Sequence, residues 1–211
     1  MKTKKILTIT FIAALLGFVF FSCSRGSWFF LTRMKSEPGC VGAIAPSSKH
    51  LAIKVCKEAL KNVTNSSDYV IEIGPGTGSF TRVILDSGIA PDHLICVELD
   101  PELQKYMTEH FPQVRTILGN ALDLEEILLN ENCGKVAAIV SGVPLANLPV
   151  NTRKDILTVY SKVISPDGCI IQFSYFSRPP KIPELDITLV GFVFFNMPRA
   201  FVWKMKQKTY G

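Results

Sequence analysis

Apolar and polar positions change places in a regular rhythm along most of this chain. Residues 70–73 are a short β-branched run, which stops at Gly74-Pro75-Gly76-Thr77-Gly78 and is followed at once by an amphipathic segment at 81–86. That order reads as strand, tight turn, helix. The same alternation continues with strands over 94–99, 114–118, 136–140 and 169–175, and with helices over 101–111, 122–130 and 152–164. Repeated βα units predict a parallel sheet with helices on both faces. The last part changes character: residues 187–195 and 200–206, separated by Asn196-Met197-Pro198, predict two strands in an antiparallel hairpin. Upstream, Ala45-Pro46-Ser47-Ser48 forms a turn whose serine caps an amphipathic helix running to about Asn62.

The beginning of the chain follows neither pattern. Residues 6–21 are an uncharged apolar run behind Lys2, Lys4 and Lys5. The run is slightly under the roughly 20 residues that cross a bilayer comfortably. Three readings stay open: a signal peptide, a short membrane anchor, or an apolar helix lying on protein. Phe20-Phe21-Ser22-Cys23 is an atypical lipoprotein cleavage site, so anchoring is favoured over cleavage. In a further reading the true start lies nearer Met34 or upstream of Trp28, and the first residues have no function. Trp28-Phe29-Phe30-Leu31, with Arg25, Arg33 and Lys35 nearby, fits a segment resting at a membrane interface or packing on the domain. The expected division is an apolar anchor or signal-like segment at 1–27 and one domain at 28–211.

Composition narrows the partners only a little. With 211 residues, 47% of them hydrophobic, the chain can bury one good core. A net charge of +5 permits an anionic partner without choosing between nucleic acid and membrane. The six cysteines form no Cys-x-x-Cys pair and share no spacing with His50, His93 or His110. Reduced, mostly buried thiols are therefore expected, and no metal is implied.

Candidate chemistry sits where strands end, since ligands of open α/β sheets lie beyond the carboxyl ends of the strands. Gly74, Gly76 and Gly78 supply positive φ and let a ligand approach the backbone at a helix start, behind Glu72. Glu98 ends the next strand about 20 residues on, the spacing from which an acid binds ribose hydroxyls of a nucleotide cofactor. Asp100 is its neighbouring alternative. Asn120-Ala121 can contact an adenine edge, while Asp123 reads as a helix-start acid. Ser141-Gly142-Val143-Pro144-Leu145 follows the fourth strand, where the reacting group belongs, and can aim backbone carbonyls at a substrate N–H. Tyr175, after the fifth strand, can hold a methylated ammonium on its ring face or pack against Phe173 or Phe176. Ser47, Ser48 and His50 lie at a helix start that either holds a phosphate or is an ordinary cap.

In this order, Glu72-Ile73-Gly74-Pro75-Gly76-Thr77-Gly78, Val97-Glu98-Leu99-Asp100, Gly119-Asn120-Ala121 and the proline loop resemble class I S-adenosylmethionine-dependent methyltransferases of the rRNA adenine dimethylase type. Three further stretches resemble bacterial phospholipid N-methyltransferases more specifically. They are Val41-Gly42-Ala43-Ile44-Ala45-Pro46-Ser47-Ser48, Ser141-Gly142-Val143-Pro144-Leu145 and Phe195-Asn196-Met197-Pro198-Arg199-Ala200-Phe201-Val202-Trp203. The resemblance implies a Rossmann-like α/β fold with a seven-stranded, mostly parallel sheet and a C-terminal antiparallel hairpin. It implies S-adenosyl-L-methionine as cofactor, held by Glu72, Gly74, Gly76, Gly78, Glu98, Asn120 and Ala121. It also implies methylation of phosphatidylethanolamine toward phosphatidylcholine, expected at the cytoplasmic face of an anionic membrane; by their places near strand ends Ser141, Gly142 and Tyr175 are the candidates at the reacting amine, with His50 beside the helix start.

One departure separates the subfamilies. The rRNA enzymes carry Asn-Leu-Pro-Tyr at the loop after the fourth strand, whose amide and ring hold a flipped adenine. Here Gly142 and Leu145 stand at those positions. Nucleic acid is thus the less expected partner, and neither a separate C-terminal RNA-binding domain nor a basic-aromatic groove is read from the chain. The alternatives are the same chemistry on an rRNA adenine or another amine lipid, and a membrane-associated cofactor-binding protein without turnover.

Overall fold

The computed structural model describes residues 49–175, 179, 181–193 and 200–208, all within one compact unit, Gly42–Gly211. The expectations for residues 1–27, for the aromatic stretch at 28–31 and for Ser47 and Ser48 fall outside the described residues.

A helix, α1 (Lys49–Leu60), leads into β1 (Tyr69–Ile73), α2 (Ser79–Asp86), β2 (Leu94–Glu98), α3 (Pro101–His110) and β3 (Arg115–Leu118). Then follow α4 (Leu124–Asn130), β4 (Val136–Ser141), α5 (Val150–Val163), β5 (Cys169–Ser174), β6 (Leu185–Val193) and β7 (Ala200–Gln207). The seven strands form one sheet in the order β3-β2-β1-β4-β5-β7-β6. The first five strands are parallel, and β7 pairs antiparallel with both β5 and β6. The expected mostly parallel sheet with its antiparallel hairpin is therefore what the chain forms. Most strand ends differ from the expected ones by a residue or two, and a 3-10 turn at Ala121–Asp123 replaces the start of the expected fourth helix. Asn120 causes that change, because its Oδ1 accepts the Leu122 N–H at 3.0 Å and closes a tight turn first.

Both faces of the sheet are covered, which is why its central strands read as unbroken apolar runs. On one face Val70, Cys96, Val140 and Ile171 pack with α1, α2 and α3 side chains such as Leu51, Ile84 and Met107. On the other, Ile71, Ile95, Ile139 and Ile170 pack with Leu124 and Leu128 of α4 and Ile156, Leu157 and Tyr160 of α5. Full burial of each such branched side chain contributes roughly 2 kcal/mol. Strand β1 lies between β2 and β4, so chain order reverses at its carboxyl end. The fold opens a crevice for a ligand at that place.

Candidate active site

The turn after β1 depends on glycine at each of its three positions. Gly74, Gly76 and Gly78 have φ of 68°, 59° and 77°, in the left-handed region that side chains disfavour. The turn is tied down by Gly74 N–H donating to Val97 O at 2.8 Å and by Gly78 N–H donating to Pro75 O at 2.9 Å. A Cβ built on Gly78 would run into the Phe111 ring, whereas one on Gly76 would meet nothing within 4 Å. The middle glycine thus faces open space at the mouth of the crevice.

Glu98 closes one side of that space. Its Oε2 accepts the Gly76 N–H at 3.0 Å, and its Oε1 accepts the N–H groups of Leu99 and Asp100 at 2.9 and 3.1 Å. A carboxylate offers about four acceptor sites, so capacity remains for ligand hydroxyls beyond these three bonds. Burial raises the Glu98 carboxyl above its ordinary value, against the pull of those donors. Asp100 instead serves the next helix, its Oδ1 capping α3 by accepting from the N–H groups of Glu102 and Leu103. Gly119 N–H donates to Glu98 O at 2.9 Å, which brings Asn120 and Ala121 beside the acid.

Glu72 lies beneath the turn with no exposed surface. Thr81 Oγ1 donates to its Oε2 at 2.6 Å, and Cys96 Sγ lies 3.7 Å from the same oxygen, while Oε1 has no hydrogen-bond partner among the described residues. Burial pushes this carboxyl from an ordinary 4.5 up to about 7, with the Thr81 and Cys96 bonds opposing the rise. The thiols behave as expected: Cys56, Cys96 and Cys169 are buried, Cys133 is half-buried, and all four are free. Burial pushes the Cys133 and Cys169 thiols up to about 11. Cys23 and Cys40 lie outside the described residues.

The loop after β4 approaches the glycine turn closely. Gly142 N–H donates to Ile73 O at 2.7 Å, and a Cβ on Gly142 would sit 2.5 Å from Gly74 O. Gly142 is therefore the residue that lets the two loops touch. Ser141 does not face the crevice. It is fully buried, and its Oγ lies 3.3 Å from Tyr160 Oη on α5. Strand parity explains this, since Ser141 is in register with Ile73 and shares the α5 face of the sheet. Leu145 is also buried, within that same core. Tyr175 stands edge-on to Phe173, ring centroids 5.6 Å apart, and Phe173 reaches Phe80 at 5.4 Å. His50 is exposed in the first turn of α1.

Three features escaped the reading of the sequence. Gln172, fully buried on β5, donates from Nε2 to Val143 O at 3.0 Å and so holds the β4 loop. A lone amide in the apolar run Cys169-Ile170-Ile171-Gln172-Phe173 is the signal that marks it. Leu99 and Leu122, 65% and 38% exposed, follow Glu98 and Ala121 at the carboxyl ends of β2 and β3. Apolar side chains left in water beside a nucleotide-type acid offer flat surface to a base. An Asn-Leu-Pro, at Asn147-Leu148-Pro149, lies at the start of α5 with Asn147 exposed.

Residues 49–160 match the pattern of the family described as ribosomal RNA adenine dimethylase. The chain belongs to that family. It is an S-adenosylmethionine-dependent methyltransferase. The ornithine lipid N-methyltransferase of Singulisphaera acidiphila is 28% identical over 150 residues, 69% of this chain and 76% of that enzyme. Ribosomal RNA small subunit methyltransferase A of Chlorobium chlorochromatii is 30% identical over 88 residues, and this chain spans only 32% of its length. The fold is shared with magnesium protoporphyrin IX methyltransferase of Synechocystis PCC 6803, solved with bound cofactor, at a TM-score of 0.58 and 10% identity over 76% of this chain and 79% of that one. It is shared as well with a TehB-like SAM-dependent methyltransferase of Corynebacterium glutamicum, at 0.52 and 14% identity over 85% and 96%. The residues present suit the family's cofactor: open space in front of Gly76, spare acceptor capacity on Glu98, and exposed apolar side chains for an adenine ring. Among the described residues no group of three or more His, Cys, Asp or Glu side chains is placed to hold a metal.

Proposed function

We propose that this methyltransferase acts on the amine of a membrane lipid headgroup, taking phosphatidylethanolamine toward phosphatidylcholine at the cytoplasmic face of the membrane. The observation that carries the reading is the β4 loop. The position where rRNA enzymes hold an amide is Gly142, with no room for a Cβ, and the position of their stacking ring is Leu145, which is buried in the core. A flipped adenine would find neither partner here. The lipid-methylating relative supports the same reading and favours one variant of it, an ornithine-type lipid amine as acceptor.

In this reading Glu98, the three glycines, Asn120 and Ala121 hold S-adenosylmethionine, with Leu99 and Leu122 against its base and Glu72 beneath the turn. When bound, the cofactor supplies an electrophilic methyl group. The protein's part is to orient an amine and let it lose a proton. Val143 O is committed to Leu145 N–H and Gln172 Nε2, and Pro144 O to Asn147 N–H. Gly142 O has no such bond among the described residues, so it is the loop carbonyl assigned to the substrate N–H. Tyr175 offers its ring face to the methylated product. Ser141, buried against Tyr160, supports the loop from below and does not touch the acceptor.

The test is to incubate the full chain with methyl-labelled cofactor and, separately, phosphatidylethanolamine vesicles, ornithine-lipid vesicles and small-subunit ribosomal RNA. Label is expected in a lipid fraction. Label in RNA alone would refute the lipid reading, and cofactor binding without product from any acceptor would favour a binding protein.

A further inference from the structure

The β6–β7 hairpin has two unlike faces. Leu185, Ile187, Leu189 and Phe192 pair with Gln207, Met205, Trp203 and Phe201, and none of these side chains is charged. The opposite face carries Asp186, Thr188, Lys204 and Lys206. The uncharged face is well covered at one end, where Met205 is fully buried and Gln207 Nε2 donates to Ser161 O of α5 and to Ile164 O just after it. It emerges at the other end. Leu189 and Phe192 are 48% and 42% exposed, and Phe201 and Trp203 are half-buried beside them. Phe192 touches Phe201 at 5.1 Å between ring centroids, and Phe201 lies 6.5 Å from Trp203.

This shelf connects to the candidate site. Trp203 is in register with Gln172 and Phe201 with Ser174, the last residue of β5. Gln172 in turn holds Val143 of the β4 loop. The shelf thus lies one strand away from the side chain that holds the loop assigned to the acceptor amine. Grouped exposed aromatics of this kind mark an interaction site, whereas single exposed apolar residues need no explanation.

We propose that Leu189, Phe192, Phe201 and Trp203 form the surface by which the protein enters the hydrocarbon edge of a lipid bilayer, so that a headgroup amine meets the Gly142–Val143 loop. The inference rests on the lipid-amine reading above. Two observations choose a bilayer. The shelf adjoins the strand whose Gln172 holds the acceptor loop, and it carries no charge with which to meet a nucleic-acid backbone, whose binding rests on neutralising phosphates. Trp and Phe at one edge of an apolar surface suit the boundary between headgroups and acyl chains. Because Lys204 and Lys206 lie on the other face, docking by this shelf does not require anionic lipid and changes little with salt.

The chain has two tryptophans, so a Trp28→Phe variant of the full chain leaves Trp203 as the sole reporter. It is mixed with phosphatidylcholine–phosphatidylethanolamine vesicles, with and without bromine on the acyl chains, in low and high salt. Trp203 emission is expected to shift to the blue and to be quenched by the brominated vesicles at both salt levels. Adding Phe192→Glu is expected to remove most of that quenching while calorimetric affinity for S-adenosylhomocysteine stays unchanged. If label enters lipid but Trp203 is not quenched, the docking surface is wrong and the function stands. Quenching that survives Phe192→Glu overturns the inference, because docking then belongs to another segment such as residues 1–48. Trp203 already shielded from acrylamide in a sample that sediments as a dimer also overturns it, a second copy being the occupant. Label in RNA alone removes the functional reading and this inference with it.

Discussion

The two halves of the sheet are built by different means. On the β1–β2–β3 side the ligand-facing groups are set by the backbone: left-handed glycines, and a carboxylate that collects three neighbouring N–H groups. On the β4–β5–β7 side the loop is set by side chains from elsewhere, Gln172 on Val143 O and Tyr160 against Ser141. The first half is a locally encoded cradle. The second half is shaped by its tertiary neighbours, and is free to change acceptor while the cradle stays the same.

The largest effect expected from breaking the cradle is that of Gly78→Ala. A left-handed φ and a Cβ driven into the buried Phe111 ring together cost about 4 kcal/mol, measurable by urea denaturation. Next comes Glu72. Its folded-state pKa is raised from 4.5 to about 7, so its contribution is fully present below the unfolded value and is lost as pH rises through 7. Between pH 5 and 8.5 the wild type should lose about 3 kcal/mol that Glu72→Gln does not lose. Equal slopes in the two proteins would show that Glu72 is not held neutral. Burial raises Glu98 in the same direction, so a smaller slope should remain in the variant.

Two further substitutions compare the halves directly. Glu98→Ala should weaken cofactor binding by roughly tenfold to a hundredfold in calorimetry, as loss of charged hydrogen bonds predicts, with acceptor KM unchanged. Gln172→Ala should do the reverse, leaving cofactor affinity intact and lowering acceptor kcat/KM by roughly tenfold through a misplaced loop. If both variants lose cofactor and acceptor alike, the division into two halves is wrong.

That division also explains what was legible in the sequence. The glycine turn and the strand-end place of Glu98 could be read because their geometry comes from residues close in sequence and from strand ends that composition locates. The antiparallel hairpin was legible for the same reason. The acceptor side was not. Gly142 reads as a loop residue that frees a carbonyl, yet its absent side chain matters because Gly74 O lies against it. Ser141 reads as a strand-end hydroxyl available for chemistry, and only the pairing of β4 with β1 shows that it points inward. Gln172 stands out in the sequence only as a lone amide in an apolar run, and what that amide holds is a loop on another strand. Contacts between segments distant in sequence carry no local signature.

The place of β7 between β5 and β6 has a consequence for how the molecule assembles. Strand β6 is synthesised first but, among the described residues, pairs only with β7, so it lacks that partner until residues 200–207 have been made. The cradle, formed from earlier strands, can close while the hairpin is still open. During that interval an unpaired strand carrying Leu189 and Phe192 is exposed, as in folding intermediates that aggregate. Refolding yield should therefore fall as protein concentration during dilution rises.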